Sequence, residues 1–505
     1  MRTQHLVAIL ILLALAAPAS PAHAGGIVSV CDEAHLLATL AGGGTVTFAC
    51  SGTITLTAEI VIAANTTIDG SGQIVTISGN NAVRVFTVND RTTFNLNRLT
   101  IANGNAYDGG GIYSNGTLTV SNSTFSGNDG TWDLGGDGYG GGIYSQGALA
   151  VSNSNFYGNS AATGGGGIYH NGGTLIVSNS NFSDNSSTYY GGGIYNYYGT
   201  MTVSNSTFSS NSASLNNGGG IYNYYGTMTM SNSAFSGNSA GQYGAGIANA
   251  GTLTVDNSTF SDNSNDDYGG GIVNLPESTL IVSNSTFSGN GANGFGYGGA
   301  ILNYGGLTVS NSTFSGNNAR EGGGIYNRGG VATVSNSTIA DNSATNDGGG
   351  IYIYAGMVTL KNTIVANSVT ANNCSGTIAD GGGNLSYPDT TCPGINADPV
   401  LGPLQNNGGP TDTMMLGPGS AAIDAGIDAI CAADPVNNLD QRGVVRPQGP
   451  HCDIGAAEQI LEPAAVNLSA LSAQSLPGAF SPTMIAGLLL AVLVGVGGFW
   501  RRHVT

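Results

Sequence analysis

The chain has 505 residues, of which 83 are glycine and 8% are charged, and its formal net charge is −18. Lys361 is its only lysine, which excludes a nucleic-acid-binding protein, because phosphate neutralisation requires clustered Lys and Arg. The composition also argues against an ordinary helical or α/β enzyme, whose helices are rich in Glu, Lys, Ala and Leu. A hydrophobic content of 40% argues against disorder, since these residues need a pattern that buries them.

Residues 1–24 have the features of a signal peptide. Arg2 precedes the apolar run from Leu6 to Ala17, and Ala22-His23-Ala24 supplies the small-x-small pattern of a cleavage site. A retained membrane anchor is the alternative, but a run of about a dozen apolar residues is short for a span. The sequence therefore predicts export.

Residues 25–108 are predicted to contain an N-terminal cap and the opening coils of a repeat structure. Residues 32–40 are compatible with a short helix that covers the open end, which would otherwise expose a sheet edge. Four short β-rich segments follow it, at Thr45–Phe48, Ile54–Leu56, Thr67–Gly70 and Val75–Ile77.

Residues 109–370 form the repeat region. A glycine-rich tripeptide before an isoleucine recurs every 24 to 31 residues, giving a unit of about 26. Each unit continues with a Leu-Thr-Val-like strand, a first Asn in Ser-Asn-Ser, and a Phe-x-x-Asn motif that supplies a second Asn. The isoleucines are Ile112, Ile143, Ile168, Ile194, Ile221, Ile247, Ile272, Ile301, Ile325 and Ile351.

The spacing within a unit predicts a coil with corners. Leu118, Val120 and Asn122 share the parity of one strand face, while Phe125 and Asn128 each follow after three residues and require a turn. Asn and Gly tolerate the left-handed conformation at such corners. We therefore predict an all-β protein, a single-stranded parallel β-helix of ten or more coils, with both Asn ladders facing inward. Modification of the Asn122-Ser123-Thr124 sequon would then break a ladder.

The repeats resemble the polymorphic outer-membrane-protein repeat of chlamydial surface proteins, which is defined by GGA[ILV] and FxxN. Residues 298–301 match the first motif to the letter, and Phe125-Ser126-Gly127-Asn128 is the first of eight copies of the second. The resemblance implies a right-handed β-helix exposed at a cell surface, often in adhesion. The chain has no room after residue 458 for the autotransporter barrel of the chlamydial proteins, so their export route is not carried over.

Residues 371–458 are predicted to contain the terminal coils and a region that resembles a choice-of-anchor Q domain. The resemblance is carried by segments 406–411, 421–426, 440–443 and 452–458, and such domains end exported bacterial β-helix proteins before an anchoring tail.

The six cysteines lie outside the central repeats in three sequence-local pairs. We prefer disulfides between Cys31 and Cys50, Cys374 and Cys392, and Cys431 and Cys452 among the fifteen possible connectivities. No CxxC spacing is present, which argues against a zinc site.

The C-terminus carries a predicted membrane anchor. Residues 459–483 read as a linker, residues 484–500 are uncharged and apolar enough for a short transmembrane helix, and residues 501–505 form a basic cytoplasmic tail. The protein is thus expected at the cell surface, in the outer membrane or cell wall.

Polysaccharide lyases and glycoside hydrolases also use β-helices, so an enzyme is the alternative function. No Lys or Arg occurs between Arg98 and Arg320, whereas a uronate lyase needs basic groups. An inverting hydrolase needs paired carboxyls, but the positions equivalent to Asp184 in the next coils are Ser210 and Gly237. We therefore assign no catalytic residue and no metal site, and we expect no cofactor beyond weak Ca²⁺ binding by acidic loops such as 265–267.

Aromatic residues favour a binding surface instead. Loops of variable length lie between the second Asn and the next glycine run, and Tyr197 and Tyr224 occupy equivalent positions one coil apart. Such stripes suit sugar rings or protein partners. We predict a surface adhesin or structural element that binds a glycan or protein through Trp132, Tyr139, Tyr197, Tyr198, Tyr224 and Tyr225.

Overall fold

Each repeat contributes one coil of a parallel β-helix, as the sequence predicts. The computed structural model describes residues 25–131, 137–265, 267–292 and 296–460. Within this part of the chain, the strands form three sheets of 24, 15 and 9 strands, and every strand pairs in parallel with its counterpart in the next coil.

The largest sheet has two columns of strands in each coil. The first column contains the repeat isoleucines: Ile60–Ile62, Phe86–Val88, Ile112–Ser114, Ile143–Ser145, Ile168–Asn171, Ile194–Tyr197, Ile272–Asn274, Ile301–Asn303 and Cys374–Ser375. The second column contains Gly26–Val28, Gly44–Phe48, Thr66–Asp69, Thr93–Asn97, Thr117–Ser121, Leu149–Ser152, Thr174–Ser178, Thr200–Ser204, Thr279–Ser283, Gly306–Ser310 and Ile378–Asp380. Four longer strands run through both columns: Ile221–Ser231, Ile247–Asp256, Ile325–Ser335 and Ile351–Lys361.

The other two sheets complete each coil. The second sheet contains the phenylalanines: Gly52–Thr55, Val75–Ser78, Thr100–Ala102, Thr124–Ser126, Asn155–Tyr157, Asn181–Ser183, Thr207–Ser209, Ala234–Ser236, Thr259–Ser261, Thr286–Ser288, Thr313–Ser315, Thr338–Ala340, Ile364–Ala366, Leu385–Tyr387 and Ile395–Asn396. The third sheet is short: Asp129–Gly130, Ser160–Ala161, Ser186–Ser187, Ser212–Ala213, Ser239–Ala240, Ser264–Asn265, Gly291–Ala292, Asn318–Glu321 and Ser343–Asp347.

The predicted N-terminal cap is a helix, Glu33–Leu40, whose first turn is closed by the side chain of Asp32, which accepts a hydrogen bond from the His35 amide at 2.9 Å. Leu36 is fully buried at the start of the hydrophobic core. A second short helix, Asp428–Ala432, lies in the C-terminal region.

The interior is built from ladders of identical side chains. The Phe125 and Phe156 rings stack with centroids 4.7 Å apart and planes 4° apart, which is the spacing of adjacent coils. The second Asn is also buried, as predicted, in nine of the ten repeats, and the exception is Asn367, a left-handed corner with a φ of +55°. Asn185, for example, donates from Nδ2 to the Phe156 carbonyl and to Asn211 Oδ1, both at 2.9 Å. These bonds satisfy polar groups that burial would otherwise make costly.

The prediction that the first Asn faces inward is wrong. Asn122 is exposed and has a φ of +50°, and Ser123 takes the inward position. Asn122 is itself the corner residue. Its left-handed conformation interrupts the in–out alternation of side chains that places Leu118 and Val120 on the inner face, so the next residue points inward instead. The serine hydroxyl bonds back to the Ser121 carbonyl at 2.7 Å and supports the corner. Modification of the sequon would therefore not meet a buried side chain.

The glycine runs are required by close approach between coils. A Cβ on Gly193 would lie 2.6 Å from the carbonyl oxygen of Gly220, which no neighbouring backbone could accommodate. Gly191, which begins the same run, has a φ of +58°.

All three predicted disulfides are present. Cys31–Cys50 lies beside the N-terminal cap, Cys374–Cys392 holds the last coils, and Cys431–Cys452 lies in the C-terminal region.

The C-terminal region folds back over the outer side of the second sheet. Gln441 is its central contact: Oε1 accepts from Thr313 Oγ1 at 2.7 Å, and Nε2 donates to the hydroxyls of Thr286 and Thr411 at 2.9 Å. Further along, the Ala456 amide donates to Thr338 Oγ1 at 3.0 Å. Segments 406–411, 440–443 and 452–458 therefore meet on the surface of the rod.

The predicted signal peptide, anchor and cytoplasmic tail lie outside the described residues, as does nearly all of the linker. Among the residues that are described, no helix is both long and apolar enough to cross a membrane.

Candidate functional site: an outer tyrosine surface

A layer of tyrosines covers the outside of the first strand column. The residue after each repeat isoleucine points away from the core because side chains alternate along a strand. Most of these residues are aromatic and form clusters separate from the main core. The layer consists of Tyr113, Tyr144, Tyr169, Tyr195, Tyr222, Tyr326 and Tyr352, with Ala248, Val273 and Leu302 in three coils.

Loop tyrosines bury much of this layer. They lie just before the glycine runs, in register from coil to coil, and comprise Tyr139, Tyr190, Tyr243, Tyr268 and Tyr297. Tyr190 stacks on Tyr222 with centroids 5.3 Å apart, and only 5% of Tyr222 remains exposed. Burial raises the pKa of the Tyr169, Tyr195 and Tyr222 hydroxyls, so they resist ionisation in alkali.

Four of the six predicted binding residues come together at the edge of this layer. We name Tyr197, Tyr198, Tyr224 and Tyr225 the tyrosine platform. Tyr197 stacks on Tyr224 and Tyr198 stacks on Tyr225, both with ring centroids 5.3 Å apart. Tyr198 and Tyr225 are 56% and 59% exposed, which makes them the outer rings of the platform.

The backbone at the platform is strained. Tyr198 and Tyr225 have φ angles of +58° and +50°, where a bulky side chain is an outlier. Gly172, at the equivalent position of the preceding coil, has a φ of +74°. A left-handed non-glycine residue costs on the order of 1–3 kcal/mol, which the surrounding structure must offset.

Cations lie at the two ends of the tyrosine layer. Arg84 lies 5.2 Å from the ring of Tyr113, and Arg328 lies 5.6 Å from the ring of Tyr304, whose hydroxyl accepts from its Nη1 at 3.2 Å. Burial raises the pKa of Tyr304 to about 12. The platform lies between these ends, in the stretch of sequence without Lys or Arg.

A groove of about 600 Å³ opens at the N-terminal end of the same edge. Glu59, Arg84, Asn105 and Tyr107 line it, and Arg84 Nη1 lies 2.7 Å from Glu59 Oε2. The same Arg84 also donates to the Asp108 carbonyl, which holds the guanidinium in place.

Two predicted binding residues are not part of the tyrosine platform as the structure describes it. Tyr139 packs on Tyr169 at 4.5 Å and is half-buried, while Trp132 lies outside the described residues. Sequence reasoning missed the inner tyrosine layer and Arg328. The recurrent Gly-Gly-Gly-Ile-Tyr motif was the signal for the layer, since its Tyr has the parity of the outer face.

Asp184, the acidic residue considered for catalysis, lies at a corner of its coil. Asp184, Ser210, Gly237 and Asp262 are equivalent and have φ angles between +54° and +60°, which fits turn formation. Among the described residues, no three His, Cys, Asp or Glu side chains cluster as metal ligands. Of the acidic loop suggested for weak Ca²⁺ binding, Asp266 is not described, so that suggestion stays a prediction.

The stacked ladders define a β-helix repeat protein, and comparison with known families agrees. The family model for the right-handed beta helix region matches residues 220–390, and that for the Chlamydia polymorphic membrane protein repeat matches residues 179–197. Over these stretches the chain is similar to right-handed β-helix proteins and to the repeat of the polymorphic membrane proteins. No curated protein and no solved structure matches it significantly. Right-handed β-helices also occur in enzymes, so these matches do not assign or exclude catalysis.

Proposed function

We propose that this protein is an exported β-helix repeat protein held at the cell surface, where its tyrosine platform binds a glycan and gives it an adhesin role. The observation that carries the proposal is the pair of outward-facing stacks formed by Tyr197 with Tyr224 and Tyr198 with Tyr225. Stacked, exposed rings present flat apolar faces edged by hydroxyl groups, which suit the faces and hydroxyls of sugar rings.

Two further features support a neutral glycan as the ligand. The exposed rings of Tyr198 and Tyr225 occupy strained backbone positions, so the chain maintains them at a cost. The platform also lies far in sequence from any Lys or Arg, and an anionic polymer would find no counter-charge there.

The sequence supports the location. Residues 1–24 have a signal-peptide pattern, residues 484–500 have the length and composition of a short membrane anchor, and linker 459–483 would separate that anchor from the rod. Three disulfides fit an oxidising, exported setting. The polymorphic membrane protein repeat also suggests the outer membrane or cell surface. Fractionation of cells with and without protease shaving tests this part, since an intracellular protein would resist external protease.

Binding of the full chain to a glycan array tests the ligand. We expect wild type to retain specific glycans and the Tyr198→Ala/Tyr225→Ala variant to lose most of that binding. Tyr157→Ala is the matched control, because Tyr157 is 52% exposed but lies on the second sheet. A blank array for wild type, or binding that survives loss of the platform, would rule out the glycan role. Retention of cell adhesion with a blank array would indicate a protein partner.

A further inference from the structure

A second surface of the rod carries a regular array of threonines. On the second strand column of the large sheet, apolar residues point inward and every other residue points outward. Two of the outward columns carry the threonines and are paired in register from coil to coil, and a third outward column, which includes Ser231 and Asp256, borders them. One contains Thr93, Thr117, Ala148, Thr174, Thr200, Thr227, Thr252 and Thr279, and the other Asn95, Thr119, Ala150, Ile176, Thr202, Thr229, Thr254 and Ile281. We name these two columns the threonine face.

The geometry of the threonine face repeats in two directions. Successive coils are separated by the spacing of the stacked phenylalanines, 4.7 Å for Phe125 and Phe156. Two residues along a strand add about 6.7 Å in the perpendicular direction. Threonine is β-branched and stiff at χ1, so its methyl and hydroxyl groups are held in place on this lattice before any ligand arrives.

The chemistry of the threonine face is unlike that of the tyrosine platform. Its two columns contain no charged and no aromatic residue. Protein interfaces favour aromatic residues, Met and Arg at their centres, and saccharide sites favour aromatic rings. An uncharged, rigid and two-dimensionally periodic surface fits a ligand that is itself uncharged and periodic.

We propose that the threonine face binds ice. The methyl groups order the water that surrounds them, and each hydroxyl can both donate and accept a hydrogen bond. Together they would hold a layer of water in rows whose two spacings lie close to the oxygen repeats on faces of hexagonal ice. Because the threonines are already ordered, binding costs little conformational entropy.

The C-terminal region limits how much of the threonine face is open to solvent. Farther along the rod, Thr308 and Thr333 line a groove of about 380 Å³ together with Ile430 and Ala433 of the C-terminal region. The C-terminal region therefore borders the face beyond Thr279, while Thr117, Thr174, Thr200, Thr227, Thr252 and Thr279 are exposed. Three consecutive coils, at Thr200, Thr227 and Thr252, have threonine in both columns.

Thermal hysteresis of the purified full chain, and its partition into slowly growing ice, test this proposal. We expect wild type to depress the freezing point relative to the melting point and to enter the ice. Thr202→Lys/Thr254→Lys should lose most of both effects, because two long charged side chains interrupt the array. Thr207→Lys/Thr259→Lys is the matched control, since it places the same charges in the same two coils on the second sheet.

Two results would overturn the proposal. One is that wild type shows no thermal hysteresis and is rejected from growing ice. The other is that the two double variants show equal ice activity. Circular dichroism checks that each variant keeps its β-structure. A change of oligomeric state in Thr202→Lys/Thr254→Lys, without ice activity in wild type, would indicate that the face instead pairs with a second copy. Ice activity and glycan binding are measured in separate assays on the same protein, so failure here is distinguishable from failure of glycan binding.

Discussion

His170 lies one coil before Asn196 in an inward-facing column, and the two residues pair in register. Asn196 begins a buried ladder in which each Nδ2 donates to the next Oδ1, starting with Asn223 at 2.8 Å. The ladder continues through Asn249, Asn274, Asn303 and Asn327. Asn196 Oδ1 has no partner among the described residues, and neither ring nitrogen of the fully buried His170 makes a hydrogen bond of good geometry. The ladder thus stops at a histidine that does not complete it.

This arrangement predicts acid-sensitive stability. Burial lowers the pKa of His170 to about 4, below the value of about 6.5 in an unfolded chain. The unfolded chain therefore takes up the proton first, and the free energy of unfolding falls as the pH drops from about 6.5 towards 4, by on the order of 3 kcal/mol.

His170→Asn should remove this contribution and extend the ladder, since the new amide can donate to Asn196 Oδ1. Urea unfolding at neutral and acidic pH measures the difference between the two proteins. An equal acid-induced loss in both would show that another group titrates.

The buried ladder formed by the second Asn of the repeats predicts a large loss of stability when Asn211 is replaced. Its Oδ1 accepts from the Asn185 amide and side chain, and its Nδ2 donates to the Phe182 carbonyl and to Asn238. Asn211→Ala should cost at least about 2 kcal/mol, because several buried groups lose their partner. Asn205→Gly, at an exposed corner with a φ of +48°, should change the denaturant midpoint little. Similar losses at both sites would contradict the buried-ladder account.

The tyrosine layer predicts loss of stability in alkali. Burial raises the pKa of Tyr169, Tyr195 and Tyr222, whereas an unfolded chain ionises near 10. The folded state holds these protons longer, so the free energy of unfolding falls as the pH rises above about 10. Phenolate absorbance should show fewer ionised tyrosines in native than in unfolded protein at the same pH. Tyr195→Phe keeps the stacked ring and should weaken the pH dependence, and an unchanged slope would argue against burial as the cause.

The hydrogen bonds of Gln441 are expected to hold the C-terminal region on the rod. Gln441→Ala removes its bonds to Thr286 and Thr313 and leaves the buried Thr313 hydroxyl without its acceptor, at a cost of about 2 kcal/mol. We expect faster limited proteolysis of the region around residues 398–460. Gln448→Ala serves as the comparison because Gln448 is exposed. Equal cleavage rates would mean that Gln441 is not a principal contact.

Much of the coil could be predicted because each repeat occupies the same place. The Phe125 position faces the interior in each copy up to Phe314, the Asn128 position does so up to Asn342, and their spacing identified the corners. The sequence-local cysteine pairs also formed as expected. Asn122 was placed wrongly, since a left-handed residue reverses the alternation by which strand faces are read, and periodicity alone does not show where that reversal falls.

The candidate site was predictable only in part. The equivalence of Tyr197 and Tyr224 follows from repeat spacing, and their stacking was expected. The coverage of Tyr195 and Tyr222 by Tyr190 was not, because it depends on how a loop of irregular length folds over the neighbouring coil.

The sequence by itself determined the repeat, the inward ladders and the acidic central rod, since those follow from local periodicity and composition that every coil shares. Tertiary structure alone decided where the C-terminal region lies, because Gln441 contacts Thr286 across 155 residues of chain. It also decided which outward tyrosines and threonines stay open. Solvent exposure depends on what packs above a residue, and no spacing along the chain records that.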